Sequence, residues 1–374
     1  MIKKIIPGIV ILIIIALVII ISNNKETAEY KIGVILSLTE RGATYGNRAL
    51  NGIKLAIDEL NKDEFFKDNQ INLYVEDSKS SATEAVTAFN KLININNIPV
   101  AIGFVLSDEV LACAPVANSK KVILLTTAAG SDKIKDAGDY VFRNRESGDI
   151  QVEELVKTAI QKMGYKEFSI LYSNSANGVS YKNAFEKIAK NLGGKIVETI
   201  GYNENKSDYR SEIGRLKRIK AKAIYIAGLD TELGLILKQS KELGLSAQFF
   251  ASAGAISEKL LEIAGSSAEG LVCSSAAFDT SSTDEKVKTF VEEYSSKYNE
   301  APDFISANSY DAVFIIAELF MKEIVTGELI KNELYKIKNF SGVGGTTTFD
   351  EFGEVYKPGR LLKIHNRSFI QFNQ

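Results

Sequence analysis

From residue 30 onward the hydrophobic pattern keeps changing period, short β-branched runs alternating with longer segments whose apolar residues recur at i, i+3 and i+4. Few folds accept that alternation. Residues 31–38, 71–76, 100–104 and 122–126 read as strands. Residues 45–61, 81–95 and 107–117 read as helices, the first with Ala49, Ile53, Ala56, Ile57 and Leu60 on one face. After a strand at 140–142 the pattern restarts with helices at 150–163, 179–192, 208–219 and 231–243, separated by strands at 168–172, 195–201 and 223–227. Right-handed crossovers lay each helix against the sheet, so the chain is expected to be α/β, with doubly wound parallel sheets. Two such blocks in 374 residues give two lobes. The C-terminal third is less regular, with a strand at 270–276, helices at 284–298, 307–324 and 331–337, and strand-like runs at 346–349 and 361–364. No linker separates the blocks, which points to lobes wired by several short crossovers.

Ahead of this pattern stand Lys3 and Lys4, an apolar run over residues 5–21 and a polar stretch over 22–26. That order is an export signal, so residues 1–28 are expected to be a signal peptide or a membrane anchor. No A-x-A site and no lipid-accepting cysteine follows the run, which favours an uncleaved anchor with the body outside the cytoplasm. Cys113 and Cys273 fall in a helix and a buried strand, and are expected to be free thiols.

Charge and motifs exclude several functions. The 45 Lys and Arg nearly balance 47 Asp and Glu, for a net charge of -2, so no basic stripe for nucleic acid is expected. His365 and two distant cysteines do not make zinc or iron–sulfur spacings, and they leave little for a hydrolytic triad. No phosphate-binding loop occurs, and Gly342, Gly344 and Gly345 do not form a dinucleotide fingerprint. No catalytic residue, metal or cofactor is expected.

What remains are polar residues where strands hand over to helices, the place where open α/β sheets bind ligands. Ser107 follows the strand ending Ile102-Gly103-Phe104, and is either a plain helix N-cap or a carboxylate donor beside free backbone N–H groups. The run Thr126-Thr127-Ala128-Ala129-Gly130-Ser131 is either a polar loop or a close approach to main-chain donors. Tyr45, after a turn-rich segment, either packs or covers a ligand. Asp230 is a natural N-cap, and Glu232 either complements the helix dipole or faces the crevice as an acceptor for an ammonium.

Taken together, Ile32-Gly33, Tyr45-Gly46, Asn51-Gly52, Ala56, Asp58-Glu59, Ile102-Gly103, Ser107, Ala114-Pro115-Val116-Ala117, Val141-Phe142-Arg143, Ala268-Glu269-Gly270 and Ser309-Tyr310-Asp311-Ala312 give the chain a recognisable order. In this it resembles the extracytoplasmic solute-binding proteins of branched-chain amino acid ABC transporters, with the type I periplasmic-binding fold. The resemblance implies two hinged lobes, residues 29–146 with 278–352 and residues 147–277 with 353–374. It implies an importer's receptor for an amino acid or related small polar solute, with a membrane permease as partner. It places the solute's carboxylate at Ser107 and the loop Ala128, Ala129, Gly130 and Ser131, an aromatic wall at Tyr45, and the ammonium at Glu232. Two departures bear on the solute: Gly130 stands where many relatives carry Thr, and Asn177 stands where an aromatic often precedes Gly178. A different reading of the same chain is a ligand-sensing domain acting through a separate signalling partner.

Overall fold

The structure, a computed structural model, describes residues 29–372. Five strands, β1 (Tyr30–Leu36), β2 (Ile71–Asp77), β3 (Val100–Gly103), β4 (Ile123–Thr126) and β5 (Val141–Arg143), form a parallel sheet in the order β2-β1-β3-β4-β5. Between them run α1 (Ala43–Leu60), α2 (Ala82–Asn94) and α3 (Ser107–Lys120). β3 and β4 are buried at every residue, which is why VAIG and ILLT read as continuous apolar runs without alternation.

The chain then crosses to a second sheet through α4 (Gly148–Lys157). This sheet contains β6 (Glu167–Ser173), β7 (Lys195–Tyr202), β8 (Ala223–Ala227), β9 (Gln248–Ala251) and β10 (Val272–Ser275), with α5 (Ala176–Asn191), α6 (Arg210–Arg218), α7 (Asp230–Glu242) and α8 (Glu258–Ala264) as crossovers. After β10 the chain returns to the first sheet as α9 (Glu285–Tyr298), α10 (Phe304–Phe320), α11 (Gly327–Leu334) and the hairpin β11 (Phe340–Gly342) and β12 (Gly345–Thr347). Val287, Phe290, Ile316, Phe320 and Leu334 share one apolar core with β1 to β5. The last segment goes back as β13 (Arg360–His365) and β14 (Ser368–Gln371), completing the order β14-β13-β10-β9-β8-β6-β7.

Two expectations are corrected. The second sheet is not wholly parallel, because β13 runs antiparallel to β10 and β14 antiparallel to β13. Helices α10 and α11 begin earlier than the apolar spacing indicates, where Asp303 accepts from the Ile305 and Ser306 N–H groups and Thr326 from Leu329 N–H. β9 and α8 fall where the sequence pattern carries no clear period. Cys113 and Cys273 are free and buried, and burial pushes both thiols up to about 12. Among the described residues no helix is long and apolar enough to cross a membrane, and the expected N-terminal anchor lies outside them.

Candidate functional site

The carboxyl ends of both sheets face one another across a cleft, and the helices that follow them begin there. β3 ends at Gly103 with φ +119°, and Phe104 follows at +50°. A left-handed phenylalanine costs about 1–2 kcal/mol. Its full burial and its bonds offset that strain: its N–H donates to Ile35 O at 2.8 Å and its carbonyl accepts from Thr126 Oγ1 at 2.7 Å. The turn delivers Val105 and Leu106 to the cleft and starts α3 at Ser107.

The two lobes touch across this cleft. Tyr45 Oη, on α1, donates to Gly254 O at 2.8 Å and accepts from Asp230 N–H at 3.0 Å, at the start of α7. Asp108 Oδ1 accepts from Ala176 N–H at 3.2 Å, at the start of α5. Arg41 pairs with Glu204 at 2.6 Å. Burial raises Glu204 above the usual carboxylate range, with Arg41 opposing and Asp108 adding to the rise. These contacts enclose a cavity of about 40 Å³ between the lobes. Removing the Tyr45 hydroxyl is therefore expected to loosen the closed form at little cost to the fold. Tyr45→Phe should raise the radius of gyration in small-angle scattering, as for the loss of one or two neutral hydrogen bonds between the ends of the two sheets.

Of the sequence-derived candidates, Tyr45, Ser107, Ala128 and Asn177 line this cavity. Ser107 is not the N-cap. Leu106 holds that place without a side-chain bond, and Ser107 Oγ accepts from Ser131 N–H at 3.1 Å, tying α3 to the loop after β4. Ala129, Gly130 and Ser131 sit behind the wall, with their carbonyls engaged elsewhere. Arg143 Nη1 donates to Ser131 O at 2.8 Å and Ala129 O at 3.4 Å, and Gly148 N–H to Gly130 O at 2.9 Å. A Cβ on Gly130 would lie 2.8 Å from Asn177 Oδ1 and 2.9 Å from the Tyr181 ring. The two departures noted in the sequence thus touch: the missing side chain at 130 makes room for the amide at 177.

Glu232 is placed elsewhere. Its Oε2 accepts from Leu229 N–H at 3.2 Å and lies 3.4 Å from Tyr202 Oη. It caps its own helix and lines a neighbouring groove with Arg41 and Lys206, a groove that shares Arg41 and Leu229 with the cavity. Burial raises its carboxyl, partly offset by the Leu229 bond. Leu229, not Asp230, is the N-cap; Asp230 is the first helical residue, its Oδ1 accepting from Thr231 N–H at 2.6 Å.

Sequence reasoning missed a buried cation of the cavity wall. Arg145, directly after β5 in the first crossover, is buried and lines the cavity. Its Nη1 donates to Ala128 O at 2.6 Å, Nη2 to Tyr181 Oη at 3.0 Å and Nε to Glu146 O at 2.8 Å, and the guanidinium lies over the Phe304 ring at 5.6 Å. Burial disfavours the cation, yet Tyr181, Glu146 and Glu354 more than offset this, and Arg145 holds its proton more tightly than usual. The signal was the polar run Arg143-Asn144-Arg145-Glu146 closing an apolar strand.

A sequence model of the family described as periplasmic binding protein matches residues 29–368. A leucine-, isoleucine-, valine-, threonine- and alanine-binding protein of Pseudomonas aeruginosa is 24% identical, over 87% of this chain and 87% of its own. Among solved structures, a leucine-binding protein of Thermotoga maritima superposes with a TM-score of 0.86 at 26% identity, covering 92% of this chain and 98% of that one. The substrate-binding protein of a branched-chain amino acid transporter from Streptococcus pneumoniae, solved with isoleucine, gives a TM-score of 0.85 at 25% identity, with 91% and 97% covered.

Proposed function

Because the chain belongs to the periplasmic binding protein family, we propose that it is the extracytoplasmic solute receptor of an ABC importer, closing its two lobes on an amino acid or related small polar solute and presenting the closed form to a membrane permease. The observation that carries this reading is the enclosed cavity between the carboxyl ends of two sheets, bridged by Tyr45 from one lobe to Gly254 and Asp230 of the other. Crossovers after β5, after β10 and before β13 give such lobes a hinge, with Arg145 at its first strand. A solute touching both walls favours the closed state by its differential affinity, which is how occupancy is signalled. Within this reading Tyr45, Ser107, Ala128 and Asn177 contact the solute, while Ala129, Gly130 and Ser131 hold the loop that presents Ala128.

The test is a thermal-shift screen of the purified protein against amino acids, other carboxylates, amides and sugars, since a ligand that binds only the folded state raises the melting temperature by mass action. At a solute concentration a hundredfold above Kd the gain is about 2.7 kcal/mol, enough to shift the midpoint by several degrees. A rise with at least one solute is expected, and the same solute should lower the radius of gyration of any open population. A folded protein that responds to none of them overturns the reading.

A further inference from the structure

We propose that the solute is a small carboxylate with an uncharged, apolar body and no ammonium group, held through Arg145. This rests on the cavity being the solute site, as argued above.

The charged residues lining the cavity are Arg41, Asp108 and Arg145. Arg41 is balanced by Glu204 at 2.6 Å. Asp108 spends Oδ1 on the positive end of α5 through Ala176 N–H. Arg145 has no such balance: its partners are two backbone carbonyls and the Tyr181 hydroxyl, and among the described residues no carboxylate stands within ion-pair distance of it. Each of its terminal nitrogens carries a second N–H beyond the bond it already makes. The carboxylates of Glu146 and Glu354 act on the guanidinium only from beyond hydrogen-bond reach, so its direct partners are neutral, and an anion entering the cavity can pair with it directly. The start of α3 adds to this, since Leu106 caps it without a side-chain bond and the first N–H groups lie beside Ser107 on the same cavity wall.

Among the lining residues the one carboxylate is Asp108, whose Oδ1 is already engaged by Ala176 N–H. Glu232 is turned to Leu229 N–H and is not part of the lining. Opposite, Ala253 presents a methyl group, and Gly254 O is engaged by Tyr45 Oη. Val105, Leu106, Leu229, Phe304 and Ile305 suit a hydrocarbon or aromatic body, beside the hydroxyls of Ser173 and Ser175, which bond each other at 2.7 Å.

The experiment compares matched probes by isothermal titration: leucine, its deaminated counterpart 4-methylpentanoate, the neutral 4-methylpentanamide, and benzoate. One or both carboxylates are expected to bind at least tenfold more tightly than leucine and the amide. Arg145→Gln should weaken that binding ten- to hundredfold, the loss of a charge-assisted bond. Arg145→Lys, which keeps the cation if the glutamine variant folds poorly, should recover part of it. Glu232→Gln should leave carboxylate binding unchanged. Tighter binding of leucine or of the amide, or carboxylate binding indifferent to Arg145, overturns this inference and leaves the receptor reading standing. Binding of no solute of any class overturns both.

Discussion

Asp311→Ala is expected to destabilise the protein by about 4 kcal/mol or more, read as a lower denaturant midpoint with an unchanged slope. Asp311 is buried on α10, where Oδ1 accepts from Val343 N–H and Oδ2 from Gly344 N–H, both at 2.8 Å. It thereby clips the β11–β12 hairpin to the helix. It is also the main opposite charge acting on Lys357, a buried ammonium whose Nζ reaches Asn144 Oδ1 at 3.4 Å and Asn308 Oδ1 at 3.3 Å. Truncation leaves two buried N–H groups unpaired, at about 1–3 kcal/mol each, and a buried cation facing neutral amides. The deficit should depend on pH. Burial lowers Lys357, with Asp311 opposing, so without Asp311 it falls further below its unfolded value. Between those two values the unfolded chain binds more protons, and stability rises with pH. The gap between Asp311→Ala and the wild type should therefore narrow as pH rises toward the ordinary lysine range. A constant gap would mean that the hairpin bonds alone carry the effect.

Gly52→Val is expected to be as severe for a different reason. At this point α1 and α10 pack backbone to backbone, and a Cβ at position 52 would lie 2.1 Å from Ser306 O. No rotamer relieves a contact with main chain. The helices must separate, at a cost at or beyond the upper end of the about 1–3 kcal/mol typical of overpacking. α1 also carries Tyr45, so a variant that still folds should show weakened closure along with a lower melting temperature. Gly52→Ala meets the same contact with fewer atoms and should fall between. Unchanged stability in both variants would show that the α1–α10 contact yields freely.

The fold was legible because its central strands are buried on both faces: runs such as Ile123-Leu124-Leu125 cannot be mistaken for an alternating surface strand. The antiparallel edge was not. β14 is Ser-Phe-Ile-Gln, short and mostly exposed, and the turn that reverses the chain, Asn366-Arg367 with φ +49° and +61°, carries Arg where Gly is the usual signal. In the site, residues at strand ends were found wherever the backbone itself lines the cavity, as at Ser107 and Ala128. Glu232 was drawn toward the cleft by its chemistry and by the resemblance. Sequence shows an acid in the first turn of a helix but not whether that turn claims it, and here Leu229 N–H does. Arg145 was overlooked for the converse reason, because a cation in a crossover segment reads as solvated surface until Phe304 and Tyr181, from distant parts of the chain, are seen to bury it.

The route of the chain between its two sheets also orders its assembly. The first sheet is complete in sequence by Arg143, yet its apolar face waits for α10, some 160 residues later, after the whole parallel part of the second sheet has been made. A chain emerging from its amino end therefore has a middle lobe able to condense first, while the older lobe stays unsealed until Phe304–Phe320 arrives. Closure of the second sheet's edge by β13 and β14 comes later still. Within the proposed extracytoplasmic role this delay is useful: the half made first is also the half that cannot lock before its partner segment has followed it across.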